Sequence, residues 1–278
     1  MAGTLFVVAT PIGNLEDITF RAIRVLREAD VIAAEDTRRT ARLLGHYNIT
    51  TPCLSFHEHN AHSRVPLLLA RLEHGDDVAI VTDAGTPSVS DPGLELVQAC
   101  ISAGIAIDPI PGASAPLAAA IASGFPLEPW TVLGFPPNRA KARDMWLRNV
   151  SQIPHTVSFF ESPHRIQATL AAAAAILGER QIVLGRELTK IHQEFMRGTA
   201  AELCGRLTSP RGEFTVVVGP SGSPEVDESF GTDDEIGEEF RQTTETGGVS
   251  RRAAILAVAK KYHRSPRQVY AAIERLKK

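Results

Sequence analysis

Three cysteines in 278 residues, Cys53, Cys100 and Cys204, are too few and too scattered for a disulfide framework or a Cys-x-x-Cys metal knuckle. A reducing compartment, the cytoplasm, is the expectation. No apolar run approaches the length that crosses a bilayer, and the first residues lack a basic-then-apolar leader pattern. Aromatic residues make up only 6% of the chain and form no stripe on which bases could stack. Two nucleotide signatures are missing as well. There is no G-x-G-x-x-G, because Thr10-Pro11-Ile12-Gly13-Asn14 sets a proline where the backbone must wrap a pyrophosphate. There is no P-loop lysine either. An adenosyl ligand without phosphates fits these loops better than a dinucleotide.

What is present is alternation. Apolar runs suited to strands lie at 4–9, 30–34, 77–82, 105–110, 131–135, 156–160, 181–185 and 213–218. Helical patterns occupy 17–28, 36–45, 63–74, 91–103, 114–123, 139–150, 162–177 and 198–208. That order predicts an α/β protein with substantially parallel sheets. A break at Phe125-Pro126-Leu127-Glu128-Pro129 divides it into lobes 1–124 and 125–219. Three strand ends run into small residues: Thr10 to Asn14, Asp83-Ala84-Gly85-Thr86-Pro87-Ser88-Val89, and Pro111-Gly112-Ala113-Ser114-Ala115. In open α/β sheets a ligand lies beyond the carboxyl ends of the strands, and turns without bulk leave backbone for it to lie against. Taken singly each is an ordinary βα turn; together they suggest one shared cleft. Asp91 and Pro92 are suited to cap and begin the helix that follows the second turn.

The net charge of −3 conceals a dipole in sequence. Residues 222–248 carry nine acids against Arg241 alone, and 249–278 carry nine bases against Glu274 alone. The stretch 220–248 reads as an acidic linker. Two short helical patterns at 250–262 and 266–277, begun by Ser250 and by Ser265-Pro266, suit a basic helix-turn-helix-like appendage that can touch a polyanion. A solvated helical tail is the plainer reading of the same pattern.

The cleft motifs Pro11-Ile12-Gly13-Asn14-Leu15, Asp83-Ala84-Gly85-Thr86-Pro87, Ser90-Asp91-Pro92-Gly93 and Pro111-Gly112-Ala113-Ser114 resemble those of the tetrapyrrole (corrin/porphyrin) methylase superfamily. Ala34-Glu35-Asp36-Thr37-Arg38, Phe56-His57-Glu58-His59-Asn60, Phe160-Glu161-Ser162-Pro163-His164-Arg165 and Arg186-Glu187-Leu188-Thr189-Lys190 narrow the likeness. They resemble the branch that methylates the ribose 2′-hydroxyl of a cytidine in the decoding region of 16S ribosomal RNA. The resemblance implies two α/β lobes of the class III methyltransferase type, S-adenosylmethionine folded between them, a homodimer and the small ribosomal subunit as partner. It places cofactor contacts at Pro11, Asp83, Ala84, Gly85, Ser88, Val89, Ser114, Ala115, Leu133, Phe135, Phe160, Leu184, Arg186, Gly212 and Phe214.

A ribose hydroxyl is a poor nucleophile, so a general base is worth looking for. Glu161, His164 and Glu187 are the candidates, with Lys190 requiring a lowered pKa. The plainer reading of Glu161 with Arg165, or Arg186 with Glu187, is a structural ion pair. At Gln193 relatives often carry an acid, and no base is assigned there. Arg38, Arg39, Arg165 and Lys190 are candidates to hold RNA phosphates, and His57, His59 and Asn60 to line the substrate side. His57, Glu58, His59 and His62 lack a complete metal-ligand set, so no metal is expected. A tetrapyrrole carbon methylase and a non-catalytic RNA-binding assembly factor are the rival readings. The basic appendage and the Arg38-Arg39 and His57–Asn60 elements argue against the first.

Overall fold

The structure is a computed structural model that describes residues 2–88, 93–208, 210–221, 233–245, 249–262 and 266–276. It divides into two compact units, 1–221 and 222–278. The first sheet comprises β1 (Thr4–Val8), β2 (Val31–Ala34), β3 (Cys53–Ser55), β4 (Val78–Val81) and β5 (Ala106–Ile110), all parallel in the order β3-β2-β4-β1-β5. Strands β2 and β4 read VIAA and VAIV and are buried at every position, as expected of central parallel strands covered on both faces. On one face Leu5, Val31, Val78 and Ile80 pack against α3 (Ala61–His74) and α4 (Leu94–Ser102). On the other, Val8, Ile32, Ala79 and Val81 pack against α1 (Phe20–Glu28) and α2 (Thr37–His46). The chain leaves β1 toward one sheet edge and leaves β4 toward the other. The carboxyl ends of these neighbours are therefore a switch point where connections part and a crevice opens.

The second sheet, β6 (Trp130–Val132), β7 (Thr156–Glu161), β8 (Gln181–Arg186), β9 (Glu194–Thr199) and β10 (Phe214–Val218), departs from the expected parallel arrangement. Its order is β6-β7-β10-β8-β9, and only β6 and β7 pair in parallel. The last strand inserts antiparallel between β7 and β8, which prevents those two from pairing. Helices α6 (Ala140–Ser151), α7 (Ile166–Leu177) and α8 (Ala200–Arg206) cover one face. The other face receives α5 (Ala115–Ser123), whose Ala119 packs with Val183, Leu188 and Val217. An alanine surface lets a helix come close to a sheet, so α5 ties the first lobe to the second.

Within the stretch read as an acidic linker, residues 233–245 are helical. Helix α9 (Asp233–Glu245) packs on α10 (Arg251–Lys261) and α11 (Pro266–Arg275) through Ile236, Val258, Val269 and Ile273. The ion pairs Lys261–Glu239 and Arg275–Asp233, each 2.7 Å, set the acids of α9 against the bases of the other two helices. Ser250 caps α10 as expected, accepting from the Ala253 N–H. Val89, Ser90, Asp91, Pro92 and Ser265 lie outside the described residues.

Candidate active site

Three turns of the first lobe reach the crevice together. The turn after β1 and the turn after β4 are tied by a two-way bridge, Thr10 N–H to Gly85 O at 2.8 Å and Gly85 N–H to Thr10 O at 3.1 Å. Gly85 adopts φ 83°, a backbone conformation that side chains resist, which lets the turn double back. The Asp83 N–H donates to Glu35 Oε2 (3.1 Å), Asp83 Oδ1 accepts from the Asp36 N–H (3.1 Å), and Asp83 Oδ2 pairs with Arg39 (3.1 Å). The end of β2 is thereby clamped to the end of β4. Asp36 caps α2 and grips Arg38, whose hydrogen bonds hold the Asp36 carboxyl down at about 2.

A cavity of about 370 Å³ opens between these turns and the second lobe. Ile12, Glu35, Arg39, Asp83, Ala84, Gly85, Thr86, Ser114, Ala115 and Pro116 line it from the first lobe. Phe135, Phe160, Glu161, Ser162, Pro163, Glu213, Phe214 and Thr215 line it from the second. Phe135 and Phe160 stack with ring centroids 5.3 Å apart and give one wall an apolar surface. Of its four carboxylates, Asp83 is paired with Arg39, Glu161 with Arg165 and Glu213 with Lys190, while Glu35 has no ion pair among the described residues and leaves the lining one acid in excess. Such a lining repels phosphates and favours a cationic or neutral ligand.

Of the expected cofactor contacts, Asp83, Ala84, Gly85, Ser114, Ala115, Phe135, Phe160 and Phe214 are at the cavity. Pro11 lines an adjoining smaller hollow. Ser88 and Leu133 do not line the cavity, and Leu184 lies in the core of the second lobe. Arg186 turns to the Arg211 carbonyl at 2.8 Å and stacks over Phe214, 5.9 Å from its ring centre. Gly212, at φ 78°, makes room for Glu187: a Cβ there would lie 2.3 Å from Glu187 Oε1. Val89 is outside the described residues. Ile12, Glu35, Pro116, Ser162 and Pro163 line the cavity without having been expected to. Glu35 carried a signal, an acid directly after a fully buried strand; the others offered none beyond the motifs they sit in.

Glu161 is buried and fully engaged. It accepts from the Ser162 N–H (2.7 Å) and from Thr169 Oγ1 (2.6 Å), and pairs with Arg165 at 2.6 Å. Arg165 also donates to the Pro136 carbonyl and to Asn138, and lies over Phe135. Both behave as a scaffold that fixes the 160–163 turn, with Arg165 spent on protein partners. His164 is exposed and does not line the cavity.

Glu187 lies outside the cavity as well, in a latch between the lobes. It pairs with Lys190 at 2.9 Å and accepts from the Glu213 N–H at 2.9 Å. Burial would raise the Glu187 carboxyl, but Lys190, the Glu213 N–H and Arg186 together hold it below its usual range. Burial would likewise lower Lys190, but Glu187 and Glu213 hold its ammonium above its usual value, opposite to what a base requires. The same loop reaches the first lobe, where Thr189 Oγ1 accepts from the Asn14 N–H at 3.1 Å.

His57, His59 and Asn60 sit at the carboxyl end of edge strand β3, away from the cavity lining. Asn60 organises the turn, with Oδ1 accepting from the His57 N–H (2.9 Å) and Nδ2 reaching Ser55. Arg38 is exposed and committed to Asp36. Among the described residues no group of three His, Cys, Asp or Glu side chains is placed to hold a metal ion, and no helix is long and apolar enough to cross a membrane.

The family model for tetrapyrrole (corrin/porphyrin) methylases matches residues 4–204. The chain belongs to that family. Its relatives include proteins called ribosomal RNA small subunit methyltransferase I. The one from Halalkalibacterium halodurans is 50% identical over 79% of this chain and 77% of its own length. The one from Synechocystis is 43% identical over 96% of both. Solved structures share the fold at lower identity. The cobalt precorrin-4 methyltransferase CbiF superposes with a TM-score of 0.59 at 18% identity, over 78% of this chain and 94% of its own. A uroporphyrin-III C-methyl transferase from Thermus thermophilus, complexed with S-adenyl homocysteine, gives 0.56 at 18%, over 78% and 97%.

Proposed function

We propose that this chain is an S-adenosylmethionine-dependent methyltransferase of small-subunit ribosomal RNA, and that its target is the ribose 2′-hydroxyl of a cytidine in the decoding region. The observation that carries the reading is the convergence of three small-residue turns and an aromatic wall on one carboxylate-rich cavity. Those residues fit the donor: the phenylalanines match an adenine, the carboxylates match ribose hydroxyls and a sulfonium charge, and about 370 Å³ lies in the ordinary range of small-molecule sites. When bound, S-adenosylmethionine supplies a methyl group already activated on sulfur. The relatives' shared name, at 43% identity over nearly the whole chain, supports ribosomal RNA as acceptor.

The chain's own contribution is chiefly positioning. The Asp83–Arg39–Asp36 clamp and the Glu161–Arg165 scaffold fix opposite walls of the cavity before any ligand arrives. Oriented reactants gain effective molarities of about 10⁵–10⁸ M, so an in-line transfer does not depend on a strong base. Glu161 is hydrogen-bonded on both oxygens and is assigned to architecture. Action in the cytoplasm as a homodimer completes the reading.

The deciding experiment incubates the protein with radiolabelled S-adenosylmethionine and small subunits from cells lacking this enzyme, then maps the label. Label on one decoding-region ribose is the expected result. Label on a porphyrinoid alone would favour the carbon methylase, and absence of saturable donor binding would favour a non-catalytic factor.

A further inference from the structure

Beside the main cavity lies a hollow of about 120 Å³, which shares Arg39 and Asp83 with it and is otherwise lined by Thr10, Pro11, Thr82 and Arg42 among others. Two of its groups are unspent. Thr82 is 2% exposed, yet its hydroxyl has no hydrogen-bond partner. The neighbouring Thr10 Oγ1, by contrast, is occupied, donating to the Thr82 carbonyl at 3.1 Å. Arg42, on the exposed side of α2, forms no ion pair or side-chain hydrogen bond among the described residues, whereas Arg38 is held by Asp36 and Arg39 by Asp83. Two guanidinium groups and one carboxylate leave this hollow with one net positive charge, the reverse of the large cavity next to it.

A buried hydroxyl left without a partner is rare in a folded protein and points to a ligand or a water that completes it. An unpaired guanidinium beside it selects an anion, and arginine is the side chain best matched to phosphate oxygens. The shared wall of Arg39 and Asp83 places the hollow one side chain away from the donor cavity. A phosphate attached to the ribose being methylated must lie at about such a remove. We propose that this hollow is a phosphodiester subsite, in which Arg42, Arg39 and the Thr82 hydroxyl hold the RNA phosphate adjacent to the target ribose. The proposal rests on the functional reading above and adds to it the place where the strand is gripped.

The test uses full-length protein and small ribosomal subunits from cells lacking the enzyme. Subunit affinity is read by filter binding across a KCl series, and S-adenosylmethionine affinity by calorimetry. Arg42→Gln is expected to weaken subunit binding about tenfold and to reduce the slope of log K against log[KCl] by about 0.7, the loss of one phosphate contact. Donor affinity should stay within about twofold. Arg42→Lys keeps the charge and is expected to restore the slope. Thr82→Val, equal in shape, should weaken subunit binding about threefold with the slope unchanged, and Thr82→Ser should not. Unaltered subunit affinity and slope in Arg42→Gln would overturn the proposal. So would a fall in donor affinity in place of subunit affinity, which would give the hollow to the donor's carboxylate. Wild-type protein that binds subunits but transfers no methyl would defeat the functional reading only, because the binding arms still decide the hollow.

Discussion

At the scale of single residues, Asp83 joins the ends of β2 and β4 and forms part of the cavity wall. Asp83→Ala is expected to lower S-adenosylmethionine affinity about tenfold, the size of one charge-assisted hydrogen bond, while the melting temperature falls by only a few degrees, about 1 kcal/mol. Calorimetry and thermal melting on one preparation separate the two effects. Gly85 makes a different demand. A Cβ there would meet nothing closer than 3.5 Å, so Gly85→Ala should cost only the left-handed backbone penalty of about 1–2 kcal/mol, measurable by urea unfolding. The Glu187–Lys190 latch carries a pH signature. Because the Glu187 pKa is lowered, its contribution is complete above the ordinary value of 4.5 and is lost as the pH falls through the folded value. Because the Lys190 pKa is raised, its contribution is complete below 10.5 and is lost as the pH rises through the folded value. The stability difference between wild type and Glu187→Gln should therefore stay level through neutral pH and shrink in acid below 4.5, as thermal melts in a buffer series will read.

At the scale of elements, the sequence announced every α-helix and eight of the ten strands among the described residues of the first unit. Long apolar runs such as Val78–Val81 and strongly patterned helices such as α1 declare themselves because burial and periodicity agree. Strands β3 and β9 did not. β3 is three residues, Cys53–Ser55, each half-buried at a sheet edge, and β9 mixes Glu194 and Arg197 with Phe195 and Met196 at another edge. Edge strands owe their pairing to a neighbour's free hydrogen bonds more than to their own side chains. The direction of pairing in the second sheet was equally hidden, since β10 reads FTVVV whichever way it runs. The site was legible where motifs lay on turns, at Asp83–Gly85 and Ser114–Ala115. It was less legible at Arg186 and Arg165, which turn to protein partners and do not line the cavity. The junction of β7 and α7 depends on one such choice. Glu161→Gln removes the charge that Arg165 pairs with and should destabilise the protein by about 3 kcal/mol, less than the full loss of a buried pair because Arg165 is partly exposed. Urea unfolding measures it, and donor affinity should fall as the 160–163 wall loosens.

At the scale of the whole molecule, the described residues that line the cavity all lie between 12 and 215, within the first unit. Removing 222–278 is expected to leave S-adenosylmethionine affinity unchanged while weakening RNA binding and flattening its salt dependence, as filter binding over a KCl series will report. The flattening should fall well short of the nine bases counted in sequence, since Lys261, Arg275 and Arg251 already face Glu239, Asp233 and Glu274.

The placement of β10 also sets a timetable. Strand β7 ends at Glu161 and β8 at Arg186, yet the strand that fills the space between them ends only at Val218. A chain emerging from the ribosome can complete its parallel sheet early, because β1 to β5 all precede residue 111. Its second half must wait with two unpaired strand edges until more than thirty further residues have been made. Phe214 and Thr215, which line the cavity proposed for the donor, arrive on that same late strand. The nascent protein thus stays without a complete cavity wall until nearly all of its first unit has been translated.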